Sequence, residues 1–151
     1  MKKIGIISAL VFAGIAFCPS IEAQDYKTAL GIRISSQDAA VNHSIILKQF
    51  FSNSIAIEGL LSFGDPVTLG ILIEKHKPVG INSLNWFWGG GAYFGFSGER
   101  TAGIQGVLGI DYKVPLIPFN LSIDWKPEIN IAKDLSFEPA AVALSARFVL
   151  K

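Results

Sequence analysis

Leu84-Asn85-Trp86-Phe87-Trp88-Gly89-Gly90-Gly91-Ala92-Tyr93-Phe94-Gly95-Phe96 is the stretch that decides the fold. It lies within Pro78 to Gly98, 21 residues without a charge, long enough to raise the question of a membrane helix. Six glycines, two asparagines, two serines and a leading proline make that run poor helix material. Against a period of two it alternates cleanly. Leu84, Trp86, Trp88, Gly90, Ala92, Phe94 and Phe96 fall on one side, and Asn85, Phe87, Gly89, Gly91, Tyr93 and Gly95 on the other. The spacing predicts a long strand.

The same period continues on both sides of it. Tyr26, Thr28, Leu30, Ile32 and Ile34 oppose Lys27, Ala29, Gly31, Arg33 and Ser35; Ile45 and Leu47 oppose Ser44 and Lys48 in a segment near Val41 to Phe50; Ile55, Ile57, Leu61 and Phe63 oppose Glu58 and Ser62. Val67, Leu69, Ile71 and Ile73 oppose Thr68, Gly70 and Glu74. After the aromatic strand, Ile104, Leu108, Ile110 and Tyr112 oppose Gln105, Gly109 and Asp111. Phe119, Leu121, Ile123 and Trp125 then oppose Asn120, Ser122, Asp124 and Lys126, and Pro127 leaves the end of that strand open. Val142, Leu144, Ala146, Phe148 and Leu150 oppose Ser145 and Arg147. Turn residues separate the segments, among them Ser52-Asn53-Ser54 and Gly64-Asp65-Pro66.

Alternation alone does not say which solvent each face meets. The chemistry of the faces does. One is aliphatic or aromatic in all eight segments; the other mixes small residues with Arg33, Lys48, Glu58, Glu74, Asp111, Asp124 and Arg147. An apolar exterior around a polar lumen is what a lipid-spanning closed sheet requires. The expected fold is therefore all-β: an eight-stranded antiparallel up-and-down transmembrane β-barrel. The seven charges are expected to point inward and pair across strands, because unpaired they would be costly in a narrow interior. Such a lumen is filled by side chains and forms a plug. Trp86, Trp88, Phe94, Phe96, Tyr112 and Trp125 are the candidate aromatic girdle. Trp86 and Phe96 stand ten residues apart, or ~25 Å along the normal at ~3.3 Å per residue and ~40° tilt, the height of an apolar band.

Before all this comes Lys2-Lys3, the apolar stretch Ile4 to Phe17, and Pro19 to Ala23, the layout of a cleaved secretory signal peptide. The stretch is shorter than the ~20 residues of a spanning helix. The expected organisation is residues 1–23 as signal peptide and 24–151 as outer-membrane barrel, beginning at Gln24. Cys18 as a lipidated residue is disfavoured by Phe17 before it. Of 13 basic and 12 acidic side chains, the leader removes Lys2, Lys3 and Glu22, so the mature chain is neutral, and it holds no cysteine. That balance speaks against nucleic acid as a partner and against a disulfide scaffold.

The signal peptide, the eight segments and the final strand Ala143-Leu144-Ser145-Ala146-Arg147-Phe148-Val149-Leu150 together resemble small Gram-negative outer-membrane β-barrel proteins of the OmpA/OmpX type. Phe148-x-Leu150 looks like the terminal assembly signal of that family, although Lys151 follows it and Ser145 stands where the family favours Gly. Asn120 to Pro127 looks like a tract of short barrels of the same kind. The resemblance implies a location in the cell outer membrane. It also implies the barrel assembly machinery, periplasmic chaperones and outer-membrane lipids as partners.

No reaction is legible. Barrel deacylases of lipid A use a His-x-Ser pair, whereas here His43 and Ser44 are adjacent and should face opposite ways. His76, within Lys75-His76-Lys77, reads as a solvated rim residue, and Lys27 and Lys126 fit the rims too. Two separated histidines without cysteine do not suggest a metal centre. Gly89 to Gly91 lack the Lys-Ser/Thr of a phosphate loop. The expectation is a non-enzymatic structural or surface-interaction barrel without cofactor, whose external ligand the residues do not name. Its outward loops would lie near Ser36 to Ala39, Gly64 to Pro66, Ser97 to Ala102 and Ala132 to Glu138. The alternatives are a lipid-modifying barrel enzyme and a soluble periplasmic lipid-binding barrel.

Overall fold

The computed structural model describes residues 26–36, 41–65, 67–96, 102–132 and 134–150. The leader with Cys18, Ala23 and Gln24, most of the first and third expected outward loops, and Lys151 lie outside the described residues. Ten strands follow in order: β1 (Thr28–Ser35), β2 (Ser44–Phe50), β3 (Ile55–Phe63), β4 (Val67–Pro78), β5 (Leu84–Gly95), β6 (Ala102–Lys113), β7 (Phe119–Trp125), β8 (Glu128–Asn130), β9 (Ser136–Glu138) and β10 (Val142–Val149). There is no helix among the described residues.

The ten strands make eight staves. β7 and β8 are one stave, since both pair with β6 in a single register, Leu108 opposite Trp125 and Gln105 opposite Glu128. Pro127 interrupts the ladder only because it has no N–H to give. Its carbonyl still accepts from Gly106 N at 2.9 Å. The end of the seventh stave, which Pro127 left open in the sequence, thus lies beyond it at Asn130. β9 and β10 make the eighth stave. Between them Pro139 and Ala140 oppose the single residue Pro127, a β-bulge that shifts the register by one. Consequently Ser136–Glu138, expected within an outward loop, is strand.

Each stave pairs antiparallel with the next, and β10 returns to β1, which closes the sheet into an up-and-down barrel. Following partners once around from Tyr112 through Leu121, Ala146, Ile32, Ile45, Leu61, Leu69 and Phe94 leads back to β6 at Ala102. Residues 112 and 102 stand ten positions apart on that strand. For eight staves, ten residues of stagger at ~3.3 Å rise and ~4.8 Å spacing tilt the strands by about 40°.

The alternation read along the chain separates the two faces. Leu30, Ile32, Ile71, Ile73, Ile110 and Ile123 are exposed on the outside, whereas Arg33, Lys48, Glu58, Asp111 and Arg147 are at most 1% exposed. A soluble sandwich has this the other way round. The interior is apolar on one side, where Ile46, Leu60, Leu72, Phe87 and Val107 pack together. Glycine sets the wall where strands approach most closely. At Gly89, the position a β-carbon would take is filled by Ile73 O and Glu74 Cα, so no other residue fits without moving β4.

Candidate functional site: the charged lumen

Period two puts every second residue of a stave inside, and seven of the eight staves send at least one charged side chain there. Only β5, with Gly89 to Gly91, sends none. Glu58 of β3 is the point where cations converge. Its Oε2 accepts from Arg147 Nη2 at 2.6 Å and Nε at 3.0 Å, and its Oε1 lies 3.4 Å from Arg33 Nη1. Lys48 Nζ is 3.4 Å from Oε2. Lys48 is the complementary point, where carboxylates converge: Glu74 at 2.7 Å, Glu58 and Asp111 at 3.4 Å each. Its ammonium also sits 4.7 Å over the Phe87 ring. Arg33 closes the circuit by pairing with Asp124.

Neutral groups complete the network. Arg147 Nη1 donates to Asn120 Oδ1 at 3.0 Å and Ser122 Oγ at 2.8 Å, and Asn120 in turn donates to Asp111. Arg33, Lys48, Glu58, Glu74, Asp111, Asp124 and Arg147 therefore form one connected cluster joining seven staves.

The network is larger than the sequence reading had it. Lys126, assigned to a water-facing rim, is 0% exposed, pairs with Glu128 and donates to Gln105 at 3.2 Å. His76, also assigned to a rim, is 3% exposed because β4 runs on to Pro78. Its Nε2 meets Glu74 Oε2 at 2.8 Å, and its ring stacks on Phe87 with centroids 5.0 Å apart. The signal for these residues was present. Asn120, Ser122, Asp124, Lys126, Glu128 and Asn130 keep one even-numbered polar series across Pro127, and Thr68, Leu72, Glu74 and His76 share one inward parity along β4. Tyr26, expected on the outer face with Leu30, is instead 2% exposed, because β1 and its alternation begin only at Thr28; with Phe50 it caps the stack below His76, the rings of Phe50 and His76 meeting edge to face at 4.9 Å.

On the outer wall the rings of Trp86 and Trp88 lie 4.5 Å apart, and those of Phe94 and Phe96 5.5 Å apart near the other end of the same strand. Tyr112 pairs with Leu84 at the Trp86 end. Trp125 stands apart from both groups, opposite Leu108 and Val142, with Nε1 donating to Pro139 O. Phe148 is exposed and meets Phe119 edge to face at 5.7 Å. Leu150, also outside, is held by its N–H to Thr28 O at 2.9 Å.

The chain matches no protein family, no curated protein and no solved structure. The site must therefore be read from its own geometry. His43 is exposed and Ser44 buried, so they stand on opposite faces. No group of three or more metal-ligating side chains is gathered among the described residues. What the arrangement can do is brace. Ion pairs between residues as far apart in sequence as Glu58 and Arg147 tie opposite sides of the wall together.

Proposed function

We propose that the protein is a small non-porin outer-membrane β-barrel of a Gram-negative cell, exported through a cleaved signal peptide and serving a structural or surface-interaction role. The observation that carries this reading is the inversion of the two faces. Among the described residues 33 large hydrophobic side chains are exposed, and most of them stand on the outer face of the strands of a closed sheet. Soluble monomers rarely expose contiguous apolar patches beyond a few hundred Å². A barrel in water that carries lipid inside would instead need an apolar lumen, whereas this one is crossed by buried ion pairs.

The non-porin part of the reading rests on the same lumen. Guanidinium, ammonium and carboxylate groups from seven staves meet within hydrogen-bonding distance across its width, which leaves ions no lane. Phe148 and Leu150, presented outward at the C-terminal strand, are the groups the assembly machinery would grip. Cell fractionation and gel mobility with and without boiling test the proposal. Recovery in the outer membrane with a heat-dependent shift is expected; recovery in the soluble periplasm overturns it. Planar-bilayer recording should show no stable large conductance.

A further inference from the structure

Of all charged residues carried by the described strands, only Lys75 and Lys77 are exposed. Both project from the outer face of β4 into an otherwise apolar wall, and neither has a carboxylate within ion-pair distance among the described residues. Their partners across the ladder are Trp88 and Trp86. From these two pairs start two adjacent rows of outward side chains. One runs Lys77, Trp86, Ile110, Ile123, Leu144; the other runs Lys75, Trp88, Leu108, Trp125, Val142.

The row headed by Lys77 is a ridge with a groove on each side. The groove toward the Lys75 row measures about 460 Å³ and includes Trp86, Leu108 and Trp125. The groove on the other flank measures about 500 Å³ and passes Tyr112, Leu121 and Ile32, its floor lowered by Ala146. Both fall in the ~300 to 1,000 Å³ range of small-molecule sites. The lining of neither groove includes Lys75 or Lys77, but the two grooves share Ile110 and Ile123 of the ridge whose row begins at Lys77, so two apolar tracks with two cations beyond their β5 end match the shape of a diacyl lipid with an anionic head.

We propose that this wall binds one anionic glycerophospholipid, its phosphate held by Lys75 and Lys77 and its acyl chains laid along the two grooves. The lysine stems cross apolar surface while their ammonium groups reach the head-group level, and Trp86 and Trp88 pack at that same level. The lysines lie at the end of the barrel that holds both Tyr26 and Leu150. In the membrane reading on which this inference rests, that end faces the periplasm and the leaflet made of glycerophospholipid.

The test uses the mature protein purified in mild detergent, with phosphatidylglycerol and zwitterionic phosphatidylethanolamine offered in equal amounts and retained lipid counted by native mass spectrometry. Wild-type protein is expected to retain phosphatidylglycerol in preference. Lys75→Gln/Lys77→Gln should lower that preference by about 25-fold, roughly fivefold for each lysine at an anionic surface. Ala146→Phe, which fills one groove, should weaken retention of both lipids and leave the preference intact. Each variant is first shown to keep its heat-dependent gel shift. No preference in the wild type, an unchanged preference in the double variant, or selective retention of lipopolysaccharide overturns the lipid site while leaving the membrane reading standing. Recovery of the protein as a soluble species removes both.

Discussion

Glu58 on β3 and Arg147 on β10 meet across the lumen through two hydrogen bonds to a single oxygen, Oε2, although 89 positions separate them in the chain. Neither strand is the other's neighbour in the sheet, so the pair spans the barrel where ladder bonds do not. Both side chains are fully buried, which makes the pair costly to break and of little net value to form.

Unequal losses are expected from the carboxylates. Glu58 touches Arg33, Lys48 and Arg147, whereas among the described residues Asp124 has its ion pair with Arg33 alone. Glu58→Gln should cost ~3 to 5 kcal/mol, the range for stranding a buried partner, and Asp124→Asn should cost less. Urea unfolding in detergent, read by tryptophan fluorescence, checks the order. Equal losses would mean that the convergence on Glu58 has no energetic weight.

Arg147→Met removes the other half of the pair and also strands Asn120 and Ser122. Its cost should match that of Glu58→Gln at ~3 to 5 kcal/mol, and the double variant should cost far less than the two added together. A double-mutant cycle gives the coupling directly; additivity would show that the two side chains act independently.

Leu108 is exposed in mid-strand between Trp88 and Trp125. In a lipid-facing wall Leu108→Arg should cost ~2 to 4 kcal/mol and reduce the assembled fraction. The fraction showing a heat-dependent gel shift measures it. A fully assembled variant would argue that water bathes this face.

The glycines should not be equivalent. At Gly89 the place of a β-carbon is occupied by the backbone of β4, whereas at Gly59 the nearest atom, Leu47 O, is 4.0 Å away. Gly89→Ala should lose at least ~1 to 3 kcal/mol through overpacking, and Gly59→Ala should fold like the parent. Refolding yield into detergent micelles compares the two.

The mature protein is expected to begin at Gln24, because Ala23 ends the only small-residue site after the apolar stretch Ile4 to Phe17. Intact-mass measurement decides it, and retention of Met1 or a lipid on Cys18 would refute it.

Much of the lumen was legible as parity. Once Trp86 and Phe87 are placed on opposite faces, the two-residue period carries the assignment along each strand, and it brings Arg33, Lys48, Glu58 and Arg147 to one face. His76 and Lys126 were misplaced for a different reason. Their parity was right, but the charges of Lys75-His76-Lys77 were read as a strand end, and Pro127 left the end of the other strand open. Pro127 removes one donor and leaves its carbonyl in the ladder, so the stave continues. Lys75 and Lys77 face outward from a strand that has not ended, and His76 between them is carried into the lumen.

Strand number, the inward and outward sets and the inversion of their chemistry follow from the sequence by itself, because alternation is a local property of extended chain. Which charge meets which does not. Partners inside a barrel are set by the stagger of strands around the ring, ten residues here, and by the tilt of about 40° that goes with it. That tilt lifts a residue on one stave to the level of a residue many positions away on another. Only closure of the sheet, β10 onto β1, brought Arg147 to Glu58 rather than to Asp124 or Asp111, which are nearer in the sequence.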